Sequence, residues 1–207
     1  MPKLFPGYKD EIRKKIVSEA FAIFLEKGFE KTMMDDIAAR LGVTKPAIYR
    51  YYKNKEELFI ASMGETMLGE YKTIFATSFA SDDPITGADH FFDAYLEINR
   101  KYSTIWKDLE RVISGNDSLN KIAMKIHAES LEFMRQIFQE QKRKGKIHTT
   151  MEDTDLAILS SVLAQGLINS VNSGLDTVEA KRLWLLGFTE LADIQVGKEK
   201  KKKISGA

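Results

Sequence analysis

The sequence predicts an all-α protein of about nine helices, with a three-helix unit at the N-terminus and a larger helical domain after it. Three observations carry that expectation. Apolar residues recur at i, i+3 and i+4 through most of the 207 residues, the spacing of one helix face. Glycine, proline, asparagine and aspartate fall at the ends of those periodic stretches, where helices start and stop. No convincing strand run is present.

The first element is read from two parallel ladders, Ile12, Ile16, Ala20 and Phe24 beside Val17, Phe21 and Leu25. They predict a helix from Lys9 to Lys27, stopped by Gly28. The run T-M-M-D-D-I-A-A-R-L-G-V-T-K-P-A-I-Y-R-Y-Y-K-N-K, Thr32 to Lys55, follows. Ile37, Ala38 and Leu41 share one face of a two-turn helix, and Gly42 stands where a left-handed stop suits glycine. Val43 is expected on the core side of the turn and Thr44 at the cap of the next helix, with Pro46 in its first turn. Ile48 and Tyr52 face inward; Lys45, Ala47, Tyr49 and Tyr51 face outward, with Arg50 at the edge. This is a helix-turn-helix, whose physical use is to hold a short helix in the major groove of DNA. An ordinary surface helical hairpin explains each signal singly, but not their conjunction at this spacing.

The pattern A-F-A-I-F-L-E-K-G-F-E-K-T-M-M-D-D-I-A-A-R-L-G-V-T-K-P-A-I-Y-R-Y-Y-K-N-K-E-E-L-F resembles the DNA-binding domain of TetR-type transcriptional regulators over residues 10 to 60. The resemblance implies a homodimer on a palindromic operator, usually a repressor, released when a small molecule enters the second domain. By position it implies phosphate contacts from Thr44, Tyr49 and Lys55, and places Lys45, Pro46, Ala47 and Tyr51 at or near base edges. Ala47 offers only a methyl group, suited to a thymine methyl. The chain departs from the family at Tyr51-Tyr52, often His-Phe, and at Met33, often Thr or Ser. Thr32, three residues before Asp35, is then the better candidate for a cap and a phosphate contact.

Asn54 opens the fourth helix, whose first turn holds Glu56 and Glu57. Leu58, Phe59, Met63, Met67, Ile74 and Phe75 carry it to about Phe79, and Ser81 to Pro84 ends it. Phe91, Phe92, Tyr95 and Ile98 mark the next helix; Ile105, Trp106, Leu109 and Ile113 a shorter one. A long helix is expected from Ser118 to Lys144, then one from Asp153 or Thr154 to near Gly174, then one from Thr177 through Leu191. The domains expected are 1–55 for DNA binding, 56–196 for ligand binding and dimerisation, and 197–207 as a basic, frayed tail.

The eighth helix is apolar nearly all round, through Ala157, Ile158, Leu159, Val162, Leu163, Leu167, Ile168 and Val171. Trp184, Leu185, Leu186 and Phe188 crowd the ninth. One small domain rarely buries two such faces, so the last two helices are expected to form a dimeric four-helix bundle. Small Ser160, Ser161, Ala164 and Gly166 allow close approach. Surplus aromatics and methionines in the middle helices suggest a site for a small apolar or aromatic effector, lined by Phe91, Tyr95, Trp106, Met124, His127, Phe133 and Met134. His127, Asn99 and Arg100 are the polar groups placed to orient it. Ordinary core packing accounts for the same residues one by one.

Charge is distributed unevenly. Residues 1–60 hold 12 Lys and Arg against 9 Asp and Glu, residues 61–196 hold 14 against 20, and the tail 5 against 1. A basic head on an acidic body orients a protein on DNA. No cysteine is present, which excludes disulfides and thiolate metal sites. With no apolar segment of signal-peptide length near Met1 and no run approaching about 18 apolar residues, a cytoplasmic protein off the membrane is expected. No cofactor motif appears, and His90, His127 and His148 lack metal-ligand spacing, so an enzyme is not expected. The alternative is a helical carrier or adaptor without sequence-specific DNA binding.

Overall fold

The computed structural model describes residues 8–81 and 83–195, and among them lie nine α-helices and no strand. They are α1 (Tyr8–Lys27), α2 (Met34–Leu41), α3 (Lys45–Tyr49), α4 (Lys55–Ser78), α5 (Pro84–Lys101), α6 (Ser103–Ile113), α7 (Asp117–Arg143), α8 (Asp153–Asn172) and α9 (Thr177–Leu191). The expected basic tail lies outside the described residues.

Local chemistry sets most of these ends. Gly28 and Gly42 take left-handed φ of 77° and 66°, conformations that a Cβ disfavours. Behind Gly42 the amides of Gly42 and Val43 fold back onto Ala39 and Ala38 carbonyls at 3.1 and 3.0 Å. Asn54 Oδ1 accepts from the Glu57 amide at 2.7 Å, opening α4. Asp83 accepts from the Thr86 hydroxyl at 2.6 Å at the start of α5, and Asp176 accepts from two amides at the start of α9.

The described helices fall into two compact units, to which α4 and α7 each contribute a part. The first comprises the residues up to Gly69 together with Tyr102–Ile126. The sequence-based division after residue 55 follows the end of the motif, whereas α6 and the first turns of α7 pack within this first unit. Its core gathers Phe24, Phe29 and Phe59, with ring centroids 4.9 to 6.0 Å apart, and sets Phe21 edge-on to Tyr102. Two expectations for this core need correction. Leu25 is 44% exposed and Ile23 takes the buried place on α1; Val43 is 43% exposed, because the turn after Gly42 carries it outward.

The second unit comprises Glu70–Lys101 and the residues from His127 onward. Its core joins Phe75, Phe79, Phe91, Phe92, Phe138, Trp184 and Phe188. Trp184 Nε1 donates to the Ala88 carbonyl at 2.7 Å, tying α9 to α5. Lys181 adds ion pairs to Asp89 and Asp93 on α5 at 2.9 and 2.7 Å. A Cβ at Gly187 would lie 2.6 Å from a terminal methyl of Leu163, so any larger residue there would displace that side chain between α9 and α8. Trp184 and Phe188 therefore belong to this unit's own core, not to an outward face. The outward apolar residues include Ile158, Leu159 and Val162 on α8, 40%, 43% and 63% exposed, and Val178 in the first turn of α9, 77% exposed. By length and composition alone α8 is apolar enough to cross a membrane, although polar residues interrupt it and no unbroken apolar run of that length is present.

Candidate nucleic-acid interface

Helices α2 and α3 form the candidate surface, and their interior side fixes the outer one. Ile37 and Ile48 are fully buried and Tyr52 nearly so, with the Arg13 guanidinium 5.6 Å from the Tyr52 ring centroid. Burying Ile48 turns its neighbours outward on a helix of five residues. Tyr49 is 43% exposed, Pro46 is exposed, and Lys45, Ala47 and Tyr51 are half-buried. Of the residues expected near base edges, Lys45, Pro46 and Ala47 lie on α3 and Tyr51 just beyond its end, and none of the four is buried.

Each polar candidate has a definite partner or a definite lack of one. Thr44 is the N-cap of α3 by backbone conformation but makes no side-chain cap bond, so its hydroxyl is not committed to the helix start. Lys45 Nζ pairs with Asp35 Oδ2 at 2.9 Å, and that bond raises the Lys45 ammonium above the ordinary lysine value. Lys55 Nζ donates to the Phe29 carbonyl at 2.9 Å and lies 4.1 Å from the Phe29 ring centroid. Lys55 therefore clamps the α1–α2 turn onto α4, a structural engagement that a phosphate would have to share.

Thr32 is 1% exposed, and its hydroxyl donates to the Gly28 carbonyl at 2.7 Å. Its side chain locks the turn from inside, which corrects the reading of Thr32 as a cap and phosphate contact. The cap of α2 is instead Met33, whose amide donates to Asp36 Oδ2 at 2.9 Å. That bond first, and Lys27 second, hold the Asp36 carboxyl below its ordinary range. Met33 itself is 59% exposed.

Of the residues expected around an effector, the second unit gathers Phe91, Tyr95, Phe133 and Met134. Phe91 stacks on Tyr95 with centroids 5.4 Å apart, and Met134 Sδ accepts from the Tyr71 hydroxyl at 3.0 Å. The Tyr95 hydroxyl donates to Gln165 Oε1 at 2.5 Å. Phe133 is half-buried, with the Lys72 ammonium 5.6 Å from its ring centroid. Burial pushes both phenols up, Tyr95 to about 12. Met124 at 63% exposure and the exposed His127 face outward, so neither lines an interior site. Trp106 is half-buried in the first unit, with Nε1 enclosed and unpartnered among the described residues. Asn99 donates to the Tyr95 carbonyl at 2.8 Å, and Arg100 reaches the Thr177 hydroxyl at 3.2 Å. Tyr71 and Gln165 were not singled out by sequence; Tyr71, four residues after Met67, was legible in the helical phase of α4.

Residues 16–62 match the family model described as bacterial regulatory proteins, tetR family. Over 128 residues the chain is 24% identical to the biofilm operon icaADBC HTH-type negative transcriptional regulator of Staphylococcus epidermidis, covering 59% of this chain and 69% of that protein. A putative TetR-family transcriptional regulator from Mesorhizobium loti shares the fold with a TM-score of 0.69 at 17% identity, covering 89% of this chain and 98% of that one. A putative transcriptional regulator from Saccharomonospora viridis, solved in complex with choline, shares it with a TM-score of 0.58 at 16% identity, over 87% and 96% of the two chains.

Proposed function

We infer that this chain, which belongs to the tetR family of bacterial regulatory proteins, is a homodimeric repressor that leaves a palindromic operator when a small molecule binds its second unit. As a family member it is a transcriptional regulator with an N-terminal DNA-binding domain and not an enzyme. The finer statement is our proposal. The observation that carries it is the inside-out division of α3, Ile48 fully buried and Tyr49 outward. On this reading Thr44, Tyr49 and Lys55 meet phosphates, and Lys45, Pro46, Ala47 and Tyr51 meet base edges.

Repression is supported by the negative regulator that the chain resembles over 128 residues. Dimerisation through α8 and α9 is supported by the exposed Ile158, Leu159 and Val162, and we prefer a second copy to a bilayer as their cover. Serine, glutamine and asparagine interrupt the α8 surface at Ser161, Gln165 and Asn169, which suits a protein partner better than hydrocarbon. A cytoplasmic location follows from that choice. The effector is proposed to contact Phe91, Tyr95, Phe133 and Met134, in a largely apolar setting with two phenols.

The test is selection of bound duplexes from a random pool, followed by a salt titration of the winner. Pseudo-palindromes with half-sites about 34–36 Å apart are expected. A dimer neutralising about 6–10 phosphates loses roughly 10³–10⁵ in affinity between 50 and 200 mM salt. No enrichment together with a flat salt response would favour the carrier reading.

A further inference from the structure

Asp35 is an acid on a surface proposed to meet a polyanion. It is 63% exposed, and among the described residues its partner is Lys45, the first residue of α3. The neighbouring Asp36 already performs the local work, accepting the Met33 amide and pairing with Lys27 at 2.9 Å. An acid in the first turn of α2 suits the helix dipole, but the dipole does not explain why its carboxylate reaches across to α3. A lone carboxylate beside phosphates is repelled. It is tolerated where it meets a donor, and the major groove offers donors on base edges.

We propose that Asp35 is a specificity-determining residue that reads one G·C pair jointly with Lys45. The inference rests on the DNA-binding reading above. In the major groove the guanine O6 acceptor and the cytosine N4 donor are neighbours, bonded to each other at ordinary hydrogen-bond distance. Lys45 Nζ and Asp35 Oδ2 form the complementary donor and acceptor, 2.9 Å apart. The ammonium donates to guanine O6 and the carboxylate accepts from cytosine N4. Because the pair is neutral as a unit, it adds little to sequence-independent attraction. Restraint by Asp35 also keeps Lys45 from swinging to a phosphate, where its charge would carry no sequence information.

The test compares the wild-type dimer with Asp35→Ala and Asp35→Asn in the same random-pool selection, with an unrelated duplex titrated against salt in parallel. For Asp35→Ala the expected result is loss of about tenfold discrimination at one G·C position per half-site. Binding to the unrelated duplex should tighten, and the salt slope should steepen by about one per subunit, as Lys45 is freed for phosphate. Asp35→Asn should move the preference at that position toward adenine, which an amide bonds through N6 and N7. Unchanged base frequencies at every position, with tighter binding everywhere, would overturn the proposal and leave Asp35 a simple repulsive charge. Absence of any enriched sequence in the wild-type arm would instead sink the DNA-binding reading, and this inference with it. Asp35 is exposed, so matching melting curves for the three proteins exclude misfolding as the cause.

Discussion

The Phe29 amide donates to Asp108 Oδ2 at 3.0 Å, joining residues 79 positions apart inside the first unit. Arg111 pairs with the other carboxylate oxygen and with Glu30 at 3.2 Å, while Lys55 holds the Phe29 carbonyl. Both polar groups of one peptide segment are thus fixed by side chains from α6 and α4. Asp108→Ala strands a buried amide, which costs about 1–3 kcal/mol. Asp108→Asn, which keeps an acceptor, should lose less. Urea unfolding followed by circular dichroism measures both, and an alanine variant as stable as wild type would show that the amide finds another acceptor.

Ile48 anchors α3 with no exposed surface. Ile48→Ala should cost about 2–5 kcal/mol of stability, whereas Tyr49→Phe should leave the melting curve in place and weaken binding to all duplexes alike. Selective loss on one sequence from Tyr49→Phe would argue against a phosphate role for its hydroxyl.

The cap at α2 makes stability depend on acid. The Met33 amide and Lys27 lower the Asp36 carboxyl from its ordinary 3.8. Its folded value therefore lies below its unfolded value. The stabilisation is complete above the unfolded value and disappears as pH falls through the folded one. Thermal melting from about pH 6 to pH 3 should show this loss below about pH 4, and Asp36→Asn should flatten that part of the curve. Parallel curves for the two proteins would mean that the cap contributes nothing to acid sensitivity.

Val162 is the most exposed of the three exposed large apolar residues on α8. A glutamate there would place a charge in the proposed bundle between copies, so Val162→Glu should sediment as a monomer at concentrations where wild type is dimeric. Leu25→Glu, at an exposed apolar site on α1, should leave the assembly intact. If both variants stay dimeric, the interface lies elsewhere.

Helix ends were legible in the sequence because their causes are local. Gly42, Asn54 and Pro84 act on their own neighbours through backbone conformation and missing or supplied hydrogen bonds; α9 begins at the expected Thr177 behind its Asp176 cap, and α8 begins at Asp153, one of the two residues expected. The outward side of α3 was legible once Ile48 was assigned inward. Thr32, Lys55 and Asp108 were not, because each acts on a partner distant in the chain or on a carbonyl that carries no side-chain label. Leu25 and Ile23 show the same limit from another side: both fit a helical ladder, and only the packed neighbours decide which is covered. On α9, Trp184 looked like an interface residue until α5 supplied the carbonyl that satisfies its indole nitrogen.

The two phenols of the second unit already have mates, Tyr71 with a thioether and Tyr95 with an amide oxygen. A guest that slides between them must separate those couples. One carrying its own oxygen can take over a hydroxyl and lose little, whereas a bare hydrocarbon leaves a buried O–H stranded at about 1–3 kcal/mol. On the effector reading proposed above, such an interior would sort oily guests by whether they bring a polar atom to the right wall.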